Sequence, residues 1–146
     1  MSRNDVRRQV AEALAACQSK KAEDTTILEL EQGSGAFTDY FLICSGSNPR
    51  QIQAIADEVD ERLSRAGLEP AHVEGYNQAE WVLLDYIDFV VHVFSNKARG
   101  FYNLERLWKS AKQLAPAELK GAPAKKKASS RRSTAKKKTA PRRRKA

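Results

Sequence analysis

The chain is expected to fold as an α/β domain: a mixed β-sheet with flanking helices, in the order α β β α β β β α. Three observations predict this. Segments with apolar residues three and four apart alternate with short runs rich in β-branched and aromatic residues. One such run, Tyr40-Phe41-Leu42-Ile43-Cys44, is apolar without interruption, as in a central strand covered on both faces. The charge is also segregated. Of 26 Lys and Arg and 18 Asp and Glu in the whole chain, residues 116–146 carry 13 basic residues and a single acid, Glu118, a net of +12. The remaining 115 residues carry 13 basic and 17 acidic residues, a net of −4. The expected organisation is therefore one mildly acidic domain over 1–115 and a Lys/Arg-rich tail over 116–146.

Each element has its own signal. Val6, Val10, Ala13, Leu14 and Cys17 make one face of a helix from Asn4 to Ser19. Thr25 to Leu30 reads as a strand, Gln32-Gly33-Ser34-Gly35 as a turn, and Tyr40 to Cys44 as the buried strand. Asn48 is a good N-cap, Pro49 suits the first helical turn, and Gln51 is placed to reach back. Ile52, Ile55, Ala56, Val59 and Leu63 continue that helix to a stop at Gly67. A short strand is expected over 70–74, and stronger ones at Trp81-Val82-Leu83-Leu84 and Phe89 to Phe94, joined by a hairpin at Asp85-Tyr86-Ile87-Asp88. Phe101, Leu104, Leu107, Trp108, Ala111 and Leu114 define a last helix. Leu107 and Trp108 are assigned to its core face, while Arg99 and Tyr102 are the better candidates for exposed contacts. The tail has no aromatic residue and one large aliphatic, Leu119, so it lacks the apolar area to offset the entropy of ordering and is expected to be disordered.

The chemistry that this sequence does not assemble is informative. No apolar run approaches the roughly 18 residues of a membrane span. The N-terminus has no apolar block of a secretory signal. Cys17 and Cys44 form neither a disulfide framework nor a Cys-x-x-Cys pair, so a reducing compartment is expected. A strand, Gly46-Ser47 and then a helix could hold a phosphate, but neither a dinucleotide nor a Walker fingerprint is present. A nucleotidyltransferase-type enzyme would need an Asp-x-Asp pair on one strand face; Asp85 and Asp88 are spaced Asp-x-x-Asp around a turn. His92 sits in an apolar strand, twenty residues from His72, and reads as a core or interface histidine. No catalytic set, metal site or cofactor is expected. Trp81, Tyr86, Phe101, Tyr102 and Trp108 crowd the last third of the body instead, a composition typical of binding anchors.

These same residues carry a family resemblance. Thr38-Asp39-Tyr40-Phe41-Leu42-Ile43-Cys44-Ser45-Gly46, Arg50-Gln51 and Ala54-Ile55-Ala56-Asp57 resemble the front half of the ribosomal silencing factor family, also called the Iojap family. Glu74-Gly75, Trp81 to Tyr86, Asp88 to Phe94 and Arg99-Gly100-Phe101-Tyr102-Asn103-Leu104-Glu105-Arg106-Leu107-Trp108 are similar to its back half. The resemblance spans about residues 4–115, in order and at similar spacing. It implies a nucleotidyltransferase-like fold without the metal site. It also implies a translation repressor, not an enzyme, that binds the large ribosomal subunit through ribosomal protein L-fourteen. By steric exclusion it would block joining of the small subunit when nutrients are scarce. The family commonly has a glycine where Ile87 stands. Because a β-branched residue disfavours positive φ, a wider turn or one of another type is expected there.

Trp81, Asp85, Tyr86, Asp88, His92, Arg99, Tyr102 and Glu105 are the expected partner contacts. The basic blocks Lys125-Lys126-Lys127, Arg131-Arg132, Lys136-Lys137-Lys138 and Arg142-Arg143-Arg144-Lys145 are expected to contact ribosomal RNA phosphates without sequence preference. The competing readings are a nucleotidyltransferase-type enzyme and a general nucleic-acid binder acting through the tail. Arg3, Arg7 and Arg8 superficially resemble a transit peptide, but Asp5 and Glu12 are interspersed, and a cytoplasmic bacterial protein is expected. Self-association into a homodimer away from the ribosome completes the partner expectations.

Overall fold

A computed structural model of the chain describes residues 3–31 and 37–120. Helix α1 (Arg3–Ser19) turns Val6, Val10, Ala13, Leu14 and Cys17 inward, as their spacing requires. It is followed by β1 (Glu23–Glu29), β2 (Tyr40–Gly46) and α2 (Pro49–Arg65), then β3 (His72–Glu74), β4 (Trp81–Asp85) and β5 (Phe89–Ser95). Two short helices, α3 (Asn96–Tyr102) and α4 (Leu104–Leu107), lead to β6 (Lys112–Leu114) and a 3₁₀ turn over Pro116–Lys120.

Helix α2 begins and ends where its sequence directs. Asn48 Oδ1 accepts the Gln51 amide at 2.8 Å, and Gln51 Oε1 reaches back to the Ser47 amide at 2.7 Å. At the other end Gly67, with φ at +88°, lets the Leu68 and Gly67 amides return to the Leu63 and Ser64 carbonyls at 2.8 and 2.9 Å.

The strands form one six-stranded sheet in the order β3-β4-β5-β2-β1-β6. The central β2 and β5 run parallel, and each of the other neighbouring pairs is antiparallel. The period of two assigns the faces. Tyr40, Leu42, Cys44, Val82, Leu84, Phe89, Val91 and Val93 point to α1 and α2, and together they make the main core. Phe41, Ile43, Trp81, His92 and Phe94 point to the other side, which α3 and α4 cover in part. The two thiols meet in the main core, Cys17 Sγ to Cys44 Sγ at 3.8 Å, and this hydrogen bond, with burial adding to it, holds the Cys17 thiol well above its ordinary range.

The C-terminal part of the body departs from expectation. The single last helix is interrupted at Asn103, which adopts the left-handed conformation (φ +47°) and donates its amide to the Arg99 carbonyl. Asparagine tolerates that region well, so the apolar spacing continues through a break that it does not register. After the break Leu104 turns inward, whereas Leu107, expected in the core, is 72% exposed. Leu114 then reaches the core from a strand, not a helix: β6 pairs with the free edge of β1, Leu114 opposite Ile27. The packed body also runs past the composition change at Pro116. Leu119 is 1% exposed, and Arg7 Nη1 donates to the Glu118 carbonyl at 3.2 Å. The expected Gln32-Gly33-Ser34-Gly35 turn and the basic residues from Lys125 to Lys145 lie outside the described residues.

Candidate functional site

The sheet face opposite α1 and α2 is built in cross-strand rows. Register places Trp81, Phe94 and Ser45 in one row, Leu83, His92, Ile43 and Thr26 in the next, and Asp85, Val90, Phe41 and Leu28 in the third. Helices α3 and α4 lie over the first rows; in the third, Leu28 and Val90 are buried while Phe41 and Asp85 stay partly exposed. Loop geometry fixes where Trp81 falls. Gly75 has φ +78°, and a Cβ there would lie 2.1 Å from the Trp81 carbonyl oxygen, so only glycine admits this approach.

Trp81 is the hub of an aromatic cluster. Its ring stacks on Phe94 at 5.0 Å and meets Tyr102 at 4.7 Å, and its Nε1 donates to His92 Nδ1 at 3.0 Å. His92 is 4% exposed, and burial lowers its imidazole from 6.5 to about 3, so the ring is neutral. Beside this cluster, Arg99 is largely enclosed and not an exposed contact. It donates to Ser45 Oγ at 3.0 Å and Thr26 Oγ1 at 3.1 Å and forms an ion pair with Glu105. This network clamps α3 and α4 onto β1 and β2, so Arg99 and Glu105 shape the face from beneath.

The third row forms a groove of about 450 Å³ lined by Phe37, Thr38, Phe41, Leu83, Asp85, Ile87, Val90, His92 and Trp108. Its walls are mainly apolar, with Asp85 as the one carboxylate among these lining groups. Asp85 Oδ1 accepts the Ile87 amide at 2.8 Å, and this bond helps to hold a tight turn in which Asp88 N donates to the Tyr86 carbonyl at 2.8 Å and Tyr86 N to the Phe89 carbonyl at 2.9 Å. Ile87 itself takes φ +73°, the conformation that its branched Cβ disfavours. The hairpin is therefore not widened to spare Ile87; the strain is retained, and the side chain is held out beside the groove.

Of the eight expected contact residues, Trp81, Asp85, His92, Arg99, Tyr102 and Glu105 are gathered on this face or in the elements that cover it. Asp88 stands at the hairpin, where its carbonyl accepts the Asp39 amide at 3.0 Å. Tyr86 does not join them. It is 4% exposed, stacks on Phe89 at 4.9 Å and belongs to the core under α1 and α2, because its parity in the hairpin matches Leu84. Burial raises its phenol first, with Asp60 and Glu69 adding to the effect. Phe41 and Val90 are groove residues that the sequence did not mark, and Trp108, assigned to the core face of the last helix, lines the groove as well. The alternation of Phe41 with Tyr40 and Leu42 holds the signal for Phe41, but an unbroken apolar run does not say which parity faces which layer.

The Gly46-Ser47 turn at the start of α2, which the sequence did not mark as a phosphate fingerprint, is filled by the chain itself, since Gln51 Oε1 takes the Ser47 amide and hydroxyl and Asn48 Oδ1 takes the Gln51 amide. Among the described residues no three His, Cys, Asp or Glu side chains stand together as a metal-binding group, and no helix is long and apolar enough to cross a membrane. The arrangement is suited to docking: an aromatic and apolar surface, a carboxylate, and buried polar groups that fix its shape.

Comparison with known proteins places the chain in one family. A family model described as "Ribosomal silencing factor during starvation" matches residues 3–145. A protein of Bacillus subtilis named "Ribosomal silencing factor RsfS" is 46% identical over 99 residues, covering 68% of this chain and 83% of its own. A mouse protein named "Mitochondrial assembly of ribosomal large subunit protein 1" is 29% identical over 75 residues, 49% of this chain and 33% of its own length. A crystal structure of a Bacillus halodurans protein superposes with a TM-score of 0.65 at 41% identity, covering 74% of this chain and 97% of that one.

Proposed function

The chain belongs to the ribosomal silencing factor family, and from that membership we propose that it is a translation repressor, acting in the cytoplasm, that binds the large ribosomal subunit through ribosomal protein L-fourteen. Bound there, it blocks joining of the small subunit by occupying space, and it damps translation when nutrients are limiting. It performs no chemical step. One observation carries this reading: Trp81, Tyr102 and the groove form a continuous aromatic and apolar surface, and Asp85 gives it the sign of charge that suits a basic ribosomal protein. The mouse relative, named for assembly of the large subunit, supports that choice of subunit.

Co-sedimentation of the purified protein with separated subunits tests the reading. Binding to large subunits and inhibition of their joining to small ones is expected; binding to small subunits alone refutes it. Trp81→Ala and Tyr102→Ala truncate aromatic anchors and are each expected to cost ~2 kcal/mol or more, about thirtyfold in affinity. The basic blocks from Lys125 to Lys145 are assigned to ribosomal RNA phosphates. Truncation after Lys120, which keeps the packed Leu119, is expected to flatten the dependence of affinity on salt. Sedimentation of the free protein tests the homodimer.

A further inference from the structure

We propose that the groove beside the hairpin takes an extended segment of a basic polypeptide, one of whose carbonyl oxygens accepts the hydrogen on His92 Nε2 while an adjacent apolar side chain lies against Phe41, Val90 and Trp108. The inference rests on the docking reading above and deepens it by naming the chemistry of the occupant. It begins with the indole. Trp81 Nε1 is a donor only, so at 3.0 Å from His92 Nδ1 it makes that nitrogen an acceptor. The neutral ring must then carry its proton on Nε2. That N–H is buried and meets no acceptor from the chain. Thr38 Oγ1 is likewise buried and without a partner. Three buried side-chain polar atoms lack partners among the described residues, and two of them belong to residues lining this one groove. Buried polar groups are usually satisfied, and each exception calls for a cause.

The surroundings narrow the cause. The groove is apolar apart from these groups and Asp85, and its ≈ 450 Å³ lies within the range of ligand-sized sites. A donor at the floor of an apolar groove selects an acceptor on an apolar body, which a peptide segment provides. Asp85 has no basic side chain of the described residues within ion-pair distance, so the rim favours a cationic neighbour in the occupant. Phe41 packs edge-on to the His92 ring at 4.7 Å and to Trp108 at 5.9 Å, so admitting the carbonyl to the buried Nε2 requires this half-buried ring to turn aside. Trp81 acts in this scheme as a positioning residue: it contacts His92 and sets which nitrogen donates.

The test has two arms. In the first, large-subunit binding is compared for the parent, His92→Phe, His92→Gln and Asp85→Asn. Loss of the bond to the occupant is expected to weaken binding by the Phe variant about tenfold under conditions where it is fully folded, although its melting temperature falls because Trp81 Nε1 loses its acceptor. Glutamine, whose amide can place an N–H near Nε2, recovers most of the loss. Asn keeps the acceptor for the Ile87 amide, yet it weakens binding severalfold and reduces its salt dependence. In the second arm, nitrogen-15 histidine spectra of the parent are followed with benzamide and with toluene as probes. The Nε2-bound proton shifts with benzamide, which carries a carbonyl, and not with toluene. In Trp81→Phe the ring loses its single tautomer.

Binding by His92→Phe equal to that of the parent overturns the proposal, and if benzamide still shifts the signal in that case, the occupant is a small ligand and not a polypeptide. Equal responses to benzamide and toluene also overturn it. Should His92→Phe fail to fold, the glutamine variant and the parent spectra decide. Should the parent not bind large subunits, the functional reading falls, and the benzamide arm alone decides whether the groove selects a carbonyl.

Discussion

Acidification from pH 7 to pH 5 is expected to destabilise the folded chain through His92 alone by about 2 kcal/mol. In the folded chain burial keeps the imidazole neutral down to about 3, whereas in the unfolded chain it takes a proton near 6.5. Between those values the unfolded state binds more protons, so stability falls as pH falls. The contribution is complete above about 6.5 and is lost progressively towards pH 3. At ~1.36 kcal/mol per pH unit, the 1.5 units between 6.5 and 5 give about 2 kcal/mol, and the whole interval gives on the order of 5 kcal/mol. The geometry supplies the reason: a proton on Nδ1 would face the Trp81 Nε1 donor at 3.0 Å and break that bond. Urea denaturation of the parent and of His92→Phe at both pH values isolates the effect, because the carboxylates common to both proteins cancel. The parent is expected to lose about 2 kcal/mol more than the variant. Equal losses would refute the assignment of His92 as a neutral, enclosed ring.

Three further outcomes are expected, each read by urea denaturation. Arg99→Ala leaves Glu105 without its cation and Ser45 and Thr26 without a donor, and should cost about 2–3 kcal/mol; a loss below about 1 kcal/mol would show that the clamp is idle. Ile87→Gly releases left-handed strain of order 1–3 kcal/mol against a smaller entropic cost of glycine, so a net gain of about 1 kcal/mol is expected, and a loss would contradict the strained turn. Tyr86→Phe removes a buried hydroxyl without a partner and should change stability by between zero and a gain of about 1 kcal/mol; large-subunit binding should not change, since Tyr86 lies under the helices.

The sheet and its two long helices were legible because each rests on a local signal that tertiary structure did not override. Asn48, Gln51 and Gly67 bound α2 by hydrogen bonds within a few residues of one another, and the hairpin closes between Asp85 and Phe89. The last helix was misread because apolar spacing measures which residues are buried, not which element carries them there. Leu104 and Leu114 are both buried, yet one stands on a short helix and the other on an edge strand that exists only because β1 has a free side. The same gap limits the site. Its residue types were visible in sequence, but sidedness was not: Asp85 and Tyr86 are neighbours in the chain, and the period of two sends Asp85 to the open face and Tyr86 beneath the helices. Sidedness comes from the layers, and the layers come from α1 and α2 choosing the Tyr40, Leu42 and Cys44 face of a strand that is apolar on both. Once that choice is made, the opposite face must bury Ile43 and Phe94 with what remains, the short α3 and α4. Trp108 at the end of α4 meets only the edge of Phe41, and Asp85 stays partly exposed beyond it. The groove is thus the part of a two-sided sheet that the C-terminal elements leave partly uncovered, and its apolar floor follows from the same central strands that make the core.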